Sequence, residues 1–255
     1  MSETTTRHGD TLTGLDYPGA VVTGGANGIG AAIVTRLLAA GCRVVVLDVE
    51  DAQDAPTLRV DLADPAAVIT AAGDAVARLG RVDILVNCAG VATAAPVTEL
   101  DMAAYHRILA VNLHAPVLLM RELCGPMRTA GYGRVVNVTS VHGRLSEPGS
   151  VAYDVSKAGL EAATRTAAIE LASAGVLVNA IAPGFVATRM SVVDGVNELE
   201  SDWFTTGYLR GGRLPIGRAA TAAEIAEVAA WFASGSNTYT TGQVITVDGG
   251  LSARF

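Results

Sequence analysis

Charge is scarce in this sequence: 17% of its 255 residues are Asp, Glu, Lys or Arg, against 50% hydrophobic, and no basic run appears. With a net charge of −7, the chain lacks the clustered Lys and Arg face that gripping a phosphate backbone demands, which argues against nucleic acid as a partner. Cysteine is nearly absent. Cys42, Cys88 and Cys124 are 46 and 36 residues apart, which is neither metal-ligand spacing nor an even disulfide set, so they read as small buried residues of a reducing compartment. The four histidines, His8, His106, His114 and His142, show no HExxH or paired spacing, and no metal site is expected.

No uninterrupted membrane span is evident either. Stretches 17–35, 171–188 and 228–247 carry no formal charge, but turn-forming residues such as Gly24 to Gly28 and Pro183-Gly184 break them, whereas a spanning helix needs about 20 mostly apolar residues. Residues 1–16 are polar and Thr-rich, without the apolar core of a signal peptide. The expectation is a cytoplasmic protein with a flexible tail over 1–16 and one domain over 17–255.

What the sequence has is rhythm. Short β-branched runs at 20–23, 43–47, 58–60, 83–86, 134–138, 176–181 and 244–247 alternate with helical patterns near 28–40, 64–79, 101–129, 152–173 and 221–233. Asp64-Pro65, Asp101 and Thr221 provide helix starts. This alternation predicts an α/β, Rossmann-like doubly wound fold, with seven parallel strands covered by helices on both faces. Residues 184–217 break the rhythm with Trp203, Phe204, Tyr208 and several glycines but no strand pattern. They read as a substrate lid.

The first run ends in Thr23-Gly24-Gly25-Ala26-Asn27-Gly28-Ile29-Gly30 and leads directly into a helix. Glycines at 24, 28 and 30 allow a tight turn and close approach to a pyrophosphate, whose charge the free N–H groups of the helix start stabilise. Asp48 ends the second run, 24 residues beyond Gly24, close to the roughly 20-residue offset of a ribose-binding carboxylate. An acid there repels a 2′-phosphate and favours NAD over NADP. Arg43 lies at the far end of the same run. Tyr153 and Lys157 follow Ser140 and stand four apart in a helical stretch, so they share a face. A nearby ammonium is expected to lower a phenol from its usual pKa of about 10 towards the neutral range.

These motifs, with Asp61-Leu62, Asn87-Cys88-Ala89-Gly90, Asn112 and Pro183-Gly184, recur in an order that resembles the short-chain dehydrogenase/reductase family from about Gly19 to Gly250. The resemblance implies adenine contacts at Asp61 and Leu62, and support for the sheet and adenosine ribose from Asn87, Ala89 and Gly90. It implies a relay water at Asn112, a substrate-oxygen contact from Ser140, proton exchange at Tyr153, and ribose binding by Lys157. Pro183, Gly184, Val186 and Thr188 would surround the carboxamide. Cys88 stands where the family usually has a second Asn. Asp154 stands where it usually has a small polar residue; helix geometry is expected to turn it away from Tyr153. A homotetramer is also implied, with helices 101–129 and 152–173 at one interface.

The expected activity is therefore NAD(H)-dependent interconversion of a secondary alcohol and a ketone. Charges at Arg144, Asp194, Glu198, Glu200, Asp202, Arg210 and Arg213 tilt the small-molecule substrate towards a polyol, sugar, sugar acid or hydroxy acid. Arg144 reads equally as a carboxylate ligand or as a surface partner of Glu147. His142 reads as a pocket residue or an exposed loop residue. The alternatives are an NADP(H)-dependent carbonyl reductase and a non-catalytic NAD-binding regulator; the latter has no need of Ser140, Tyr153 and Lys157, all present here.

Overall fold

The structure, a computed structural model, describes residues 15, 17–193 and 195–253. The tail expected over 1–16, apart from Leu15, and the lid charge Asp194 lie outside the described residues. In chain order the elements are β1 (Gly19–Thr23), α1 (Gly28–Ala39), β2 (Arg43–Asp48), β3 (Thr57–Arg59), α2 (Pro65–Leu79) and β4 (Ile84–Asn87). There follow α3 (Met102–Leu109), a π-helical turn at Ala110–His114, α4 (Ala115–Ala130), β5 (Gly133–Val138), α5 (Val151–Leu171) and β6 (Val176–Pro183). The chain continues through β7 (Val186–Ala187), β8 (Val192–Val193), β9 (Val196–Asn197), α6 (Asp202–Phe204) and β10 (Ala220–Thr221), and ends with α7 (Ala222–Ala233) and β11 (Val244–Val247).

Seven strands form one parallel sheet in the order β11-β6-β5-β4-β1-β2-β3. Because side chains alternate along a strand, Val21 points into one core layer with Leu85, Val135 and Val178, while Ala20 and Val22 point into the other with Ile84, Val86 and Val136. Helices α2, α4 and α5 close the first layer; α1 and α7 close the second. Both faces are therefore dry, which explains the nearly continuous apolar strands. Strand order reverses between β1 and β4. A crevice opens at the carboxyl ends of the strands beside such a switch point, the place where α/β sheets bind ligands.

The helix starts expected from the sequence are formed. Asp64 accepts from the Ala66 and Ala67 amides, Asp101 from Ala103, and Thr221 makes a reciprocal capping box with Glu224. The expected continuous helix over 101–129 is interrupted by the π turn. That turn buries Asn112 completely; insertions of this kind occur mostly at functional positions. Residues 184–217, expected to lack strands, contain β7 paired with β10 and a β8–β9 hairpin. Two-residue strands are too short to display alternation. Beyond them, Phe204, Tyr208 and Leu214 form a separate small core with Phe185.

Candidate active site

At Gly24, φ is +68°, and a Cβ would lie 2.7 Å from Ala89 Cα; at Gly30 it would lie 2.1 Å from the Gly24 carbonyl oxygen. Only glycine fits these positions, so the turn is tight enough to bring backbone amides to its surface. Asn27 precedes α1 without a side-chain cap and no acid occupies the first helical turn, leaving free N–H groups to meet an anion. A cleft of about 380 Å³ runs over this turn. Its walls bring together Gly24, Asn27, Gly28, Ile29, Gly30, Asp48, Asp61, Leu62, Ala89, Gly90 and Thr188.

Other candidates lie off this wall. Asn87 is buried and donates to Asn137 Oδ1 at 2.8 Å, joining β4 to β5. Pro183 pairs in register with Val247, Val186 packs against the core, and Gly184 lines a different cavity. Cys88 does line the cleft, and burial pushes its thiol up to about 12.

Asp48 is already engaged: Oδ2 accepts from the Ala26 amide at 3.0 Å and Oδ1 from Glu50 at 3.1 Å. The carboxylate thus braces the glycine turn from the end of β2. Two arginines the sequence reading overlooked also line the cleft. Arg107 grips Asp61 at 3.1 Å, and Arg189 grips Glu50 at 3.0 Å while Asn27 donates to the same Glu50. Both pairings cross between distant segments, so no local spacing announced them. Arg43 donates to the Tyr17 carbonyl instead.

Beyond Gly90 lies the polar cluster. A Cβ on Gly90 would be 3.6 Å from both Asn112 Oδ1 and Lys157 Nζ. Asn112 holds the Val91 backbone at both ends, accepting from its N–H at 2.8 Å and donating to its carbonyl at 2.9 Å, and also donates to Ser156 Oγ. Its carboxamide thus fixes the loop after β4 rather than its own helix. Lys157 is buried and donates to the Val138 carbonyl at 3.0 Å, at the end of β5. Burial pulls its ammonium down to about 8.

Tyr153 corrects the expectation from spacing. Burial pushes its phenol up to about 12; the hydrogen bond from Ser140 opposes the rise, and the charges of Cys88 and Asp154 add to it. Lys157 lies 5.4 Å from the Tyr153 ring centroid but does not lower the phenol here, because desolvation disfavours charge on both groups. Asp154 was expected to face elsewhere. Instead its Oδ1 lies 2.6 Å from His142 Nδ1, and its charge reaches the phenol.

His142 faces Tyr153 edge-on, with ring centroids 5.5 Å apart. It is the pocket residue of its two readings: it lines a second cavity, of about 430 Å³, with Ser140, Glu147, Gly184, Phe185, Tyr208 and Arg213 among the walls. His142 Nε2 lies 3.6 Å from Glu147. Arg144 fits neither of its readings. It is absent from the cavity wall, and its Nε donates at 3.1 Å to Glu161, a buried carboxylate on α5 that also faces Arg165. The pairing spans 17 residues, and burial of Glu161 demands a cation.

Comparisons with known proteins identify the family and the fold. Residues 24–252 match the family model described as "Enoyl-(Acyl carrier protein) reductase". The chain is 37% identical to cis-4-hydroxycyclohexanecarboxylate dehydrogenase of Sinomonas cyclohexanicum, covering 92% of this chain and 96% of the relative. It is 34% identical to 2-dehydro-3-deoxy-L-rhamnonate dehydrogenase (NAD(+)) of Sphingomonas sp. (strain SKA58), covering 91% and 94%. Among solved structures, a putative NAD(P)-dependent gluconate 5-dehydrogenase from Beutenbergia cavernae with bound NADP superposes with a TM-score of 0.86 at 33% identity, over 96% of this chain and all of that one. With matches that span nearly all of it, the chain belongs to the short-chain dehydrogenase/reductase family, oxidoreductases that use a nicotinamide cofactor.

Proposed function

We propose that this protein interconverts a secondary alcohol and a ketone with NAD(H), using Tyr153 as the proton-transferring group. The observation that carries the reading is a junction. Lys157 borders the cleft at Gly90, while Ser140, on the wall of the second cavity, is hydrogen-bonded to Tyr153 one helical turn away. Hydride and proton transfer need that adjacency.

The glycine turn and uncapped start of α1 suit a pyrophosphate, and Asp48 suits an unphosphorylated ribose. The bound dinucleotide supplies the hydride acceptor or donor and, when oxidised, a positive ring charge. Ser140 orients the substrate oxygen and Tyr153 exchanges its proton. A phenol near 12 holds its proton at neutral pH, suiting the donor role in carbonyl reduction; alcohol oxidation requires additional positive charge nearby. Lys157 contributes its own charge below about pH 8. Asn112 holds Val91 and the π turn beside it.

NAD is favoured because both arginines on the cleft wall are tied to carboxylates, leaving neither free for a 2′-phosphate. The NADP-bound relative supports the opposite preference. Fluorescence titration with NADH and NADPH decides between them: NADH should bind at least about tenfold more tightly, and Asp48→Ala should shrink the gap. Tighter NADPH binding overturns the NAD reading. The relatives' names point to a polar, carboxylate-bearing substrate.

A homotetramer fits the exposed apolar residues Val155 and Ile169 on α5, Val117 on α4, and Trp231 on α7, since unpaired apolar patches commonly mark interfaces. Light scattering should give four times the chain mass. A monomer at micromolar concentration contradicts it.

A further inference from the structure

We infer that Arg213 is a specificity-determining residue that binds the substrate's carboxylate, making the physiological substrate a hydroxy acid; this rests on the dehydrogenase reading and narrows it. Three ionisable side chains line the cavity that holds Ser140: His142, Glu147 and Arg213. His142 and Glu147 lie 3.6 Å apart, and His142 is hydrogen-bonded to Asp154. Arg213 has no carboxylate partner among the described residues, whereas Arg144, the other candidate for this task, is committed to Glu161.

The setting of Arg213 suits it to an anion. Its guanidinium lies 4.7 Å above the Tyr208 ring, and Tyr208 is buried in a cluster where Phe185 meets Phe204 and Tyr208 edge-on, with centroids 4.9 and 4.7 Å away. A cation held over a packed ring is restrained in place, and a guanidinium without a carboxylate partner keeps N–H groups for a bidentate carboxylate. Glu147, beside His142 on the wall, disfavours an anion near it. Attraction to Arg213 and repulsion from Glu147 orient a hydroxy acid with its carboxylate on Arg213, and Val141, Leu145 and Leu251 on the walls receive its apolar body.

The test uses cyclohexanecarboxylate and cyclohexanecarboxamide, neither of which has a carbinol to oxidise, titrated calorimetrically into the NADH-saturated protein. Wild type should prefer the carboxylate. Arg213→Gln should weaken the carboxylate by about 10- to 100-fold and leave the carboxamide unchanged, and Arg213→Lys should recover part of the loss. Equal affinity of wild type for the two probes overturns the inference. So does a carboxylate affinity indifferent to Arg213→Gln, or an equal loss for both probes. Turnover of 4-hydroxycyclohexanecarboxylate and its methyl ester is measured alongside. An Arg213-dependent carboxylate site without any alcohol oxidation sinks the dehydrogenase reading and upholds the anion site; oxidation of the ester and not of the acid does the reverse.

Discussion

The two cavities are built from different materials. The cleft over the glycine turn is walled mainly by residues at the ends of β1, β2 and β4 and the start of α1, held by a sheet whose central strands are buried, with Arg107, Val111 and residues 188–190 completing it. The second cavity is walled by residues from 140–147, 184–213 and 251–252, where the elements are short turns, two-residue strands and a small aromatic core. Chemistry shared by many reactions thus rests on rigid ground, whereas the part that chooses a substrate rests on segments that can change without disturbing the sheet.

The sharpest test of that division is Tyr153→Phe, at a residue that meets His142 of the second cavity on one side and Lys157 behind Gly90 on the other. Turnover should fall by about 10³-fold or more, since acid/base groups contribute about 10² to 10⁴, while NADH affinity stays near that of wild type. A paired glycine experiment follows. Gly30→Ala places a methyl against the Gly24 carbonyl and should abolish measurable NADH binding, whereas Gly207→Ala, which meets nothing within 4 Å, should change stability by no more than about 1 kcal/mol. Equal tolerance at both sites would erase the contrast.

The smallest effect concerns the buried ammonium. Lys157 titrates near 8 in the folded chain against the ordinary 10.5 of a free lysine, so between those values the unfolded state binds more protons there and this group's contribution to stability rises with pH. The gain between pH 8 and 9 is on the order of 1 kcal/mol; above pH 9 it is opposed by the thiols of Cys42, Cys88 and Cys124, which burial holds up at about 11, 12 and 11, and above pH 10 by the Tyr153 phenol, held near 12. Lys157→Met should abolish the rise between pH 8 and 9 and steepen the fall above it. Denaturant melts of both proteins across this range check it, and parallel pH profiles would contradict it.

Much of this was legible in the sequence because it is local. The seven strands lie within two residues of the apolar runs that announced them, and the glycine turn declared itself by its place between a strand and a helix. What escaped depends on tertiary partners. The spacing of Tyr153 and Lys157 fixed a shared helix face but was silent on desolvation, which outweighs their mutual charge. The π turn at Ala110–His114 left the apolar pattern of the surrounding helix looking continuous. Arg144 found Glu161 through folding, as Arg107 found Asp61, and Arg213 acquired its setting only when residues 203–208 packed beneath Phe185.

Glu161 carries one more implication. A Cβ on Gly143 would lie 2.6 Å from its Oε1, and its other oxygen tethers Arg144, so the loop bearing His142 is moored to the same helix that presents Tyr153. Evolution can recolour the loop's outward side chains and so retarget the enzyme, but Gly143, Arg144 and Glu161 must travel together if Tyr153 and the wall facing it are to keep their alignment.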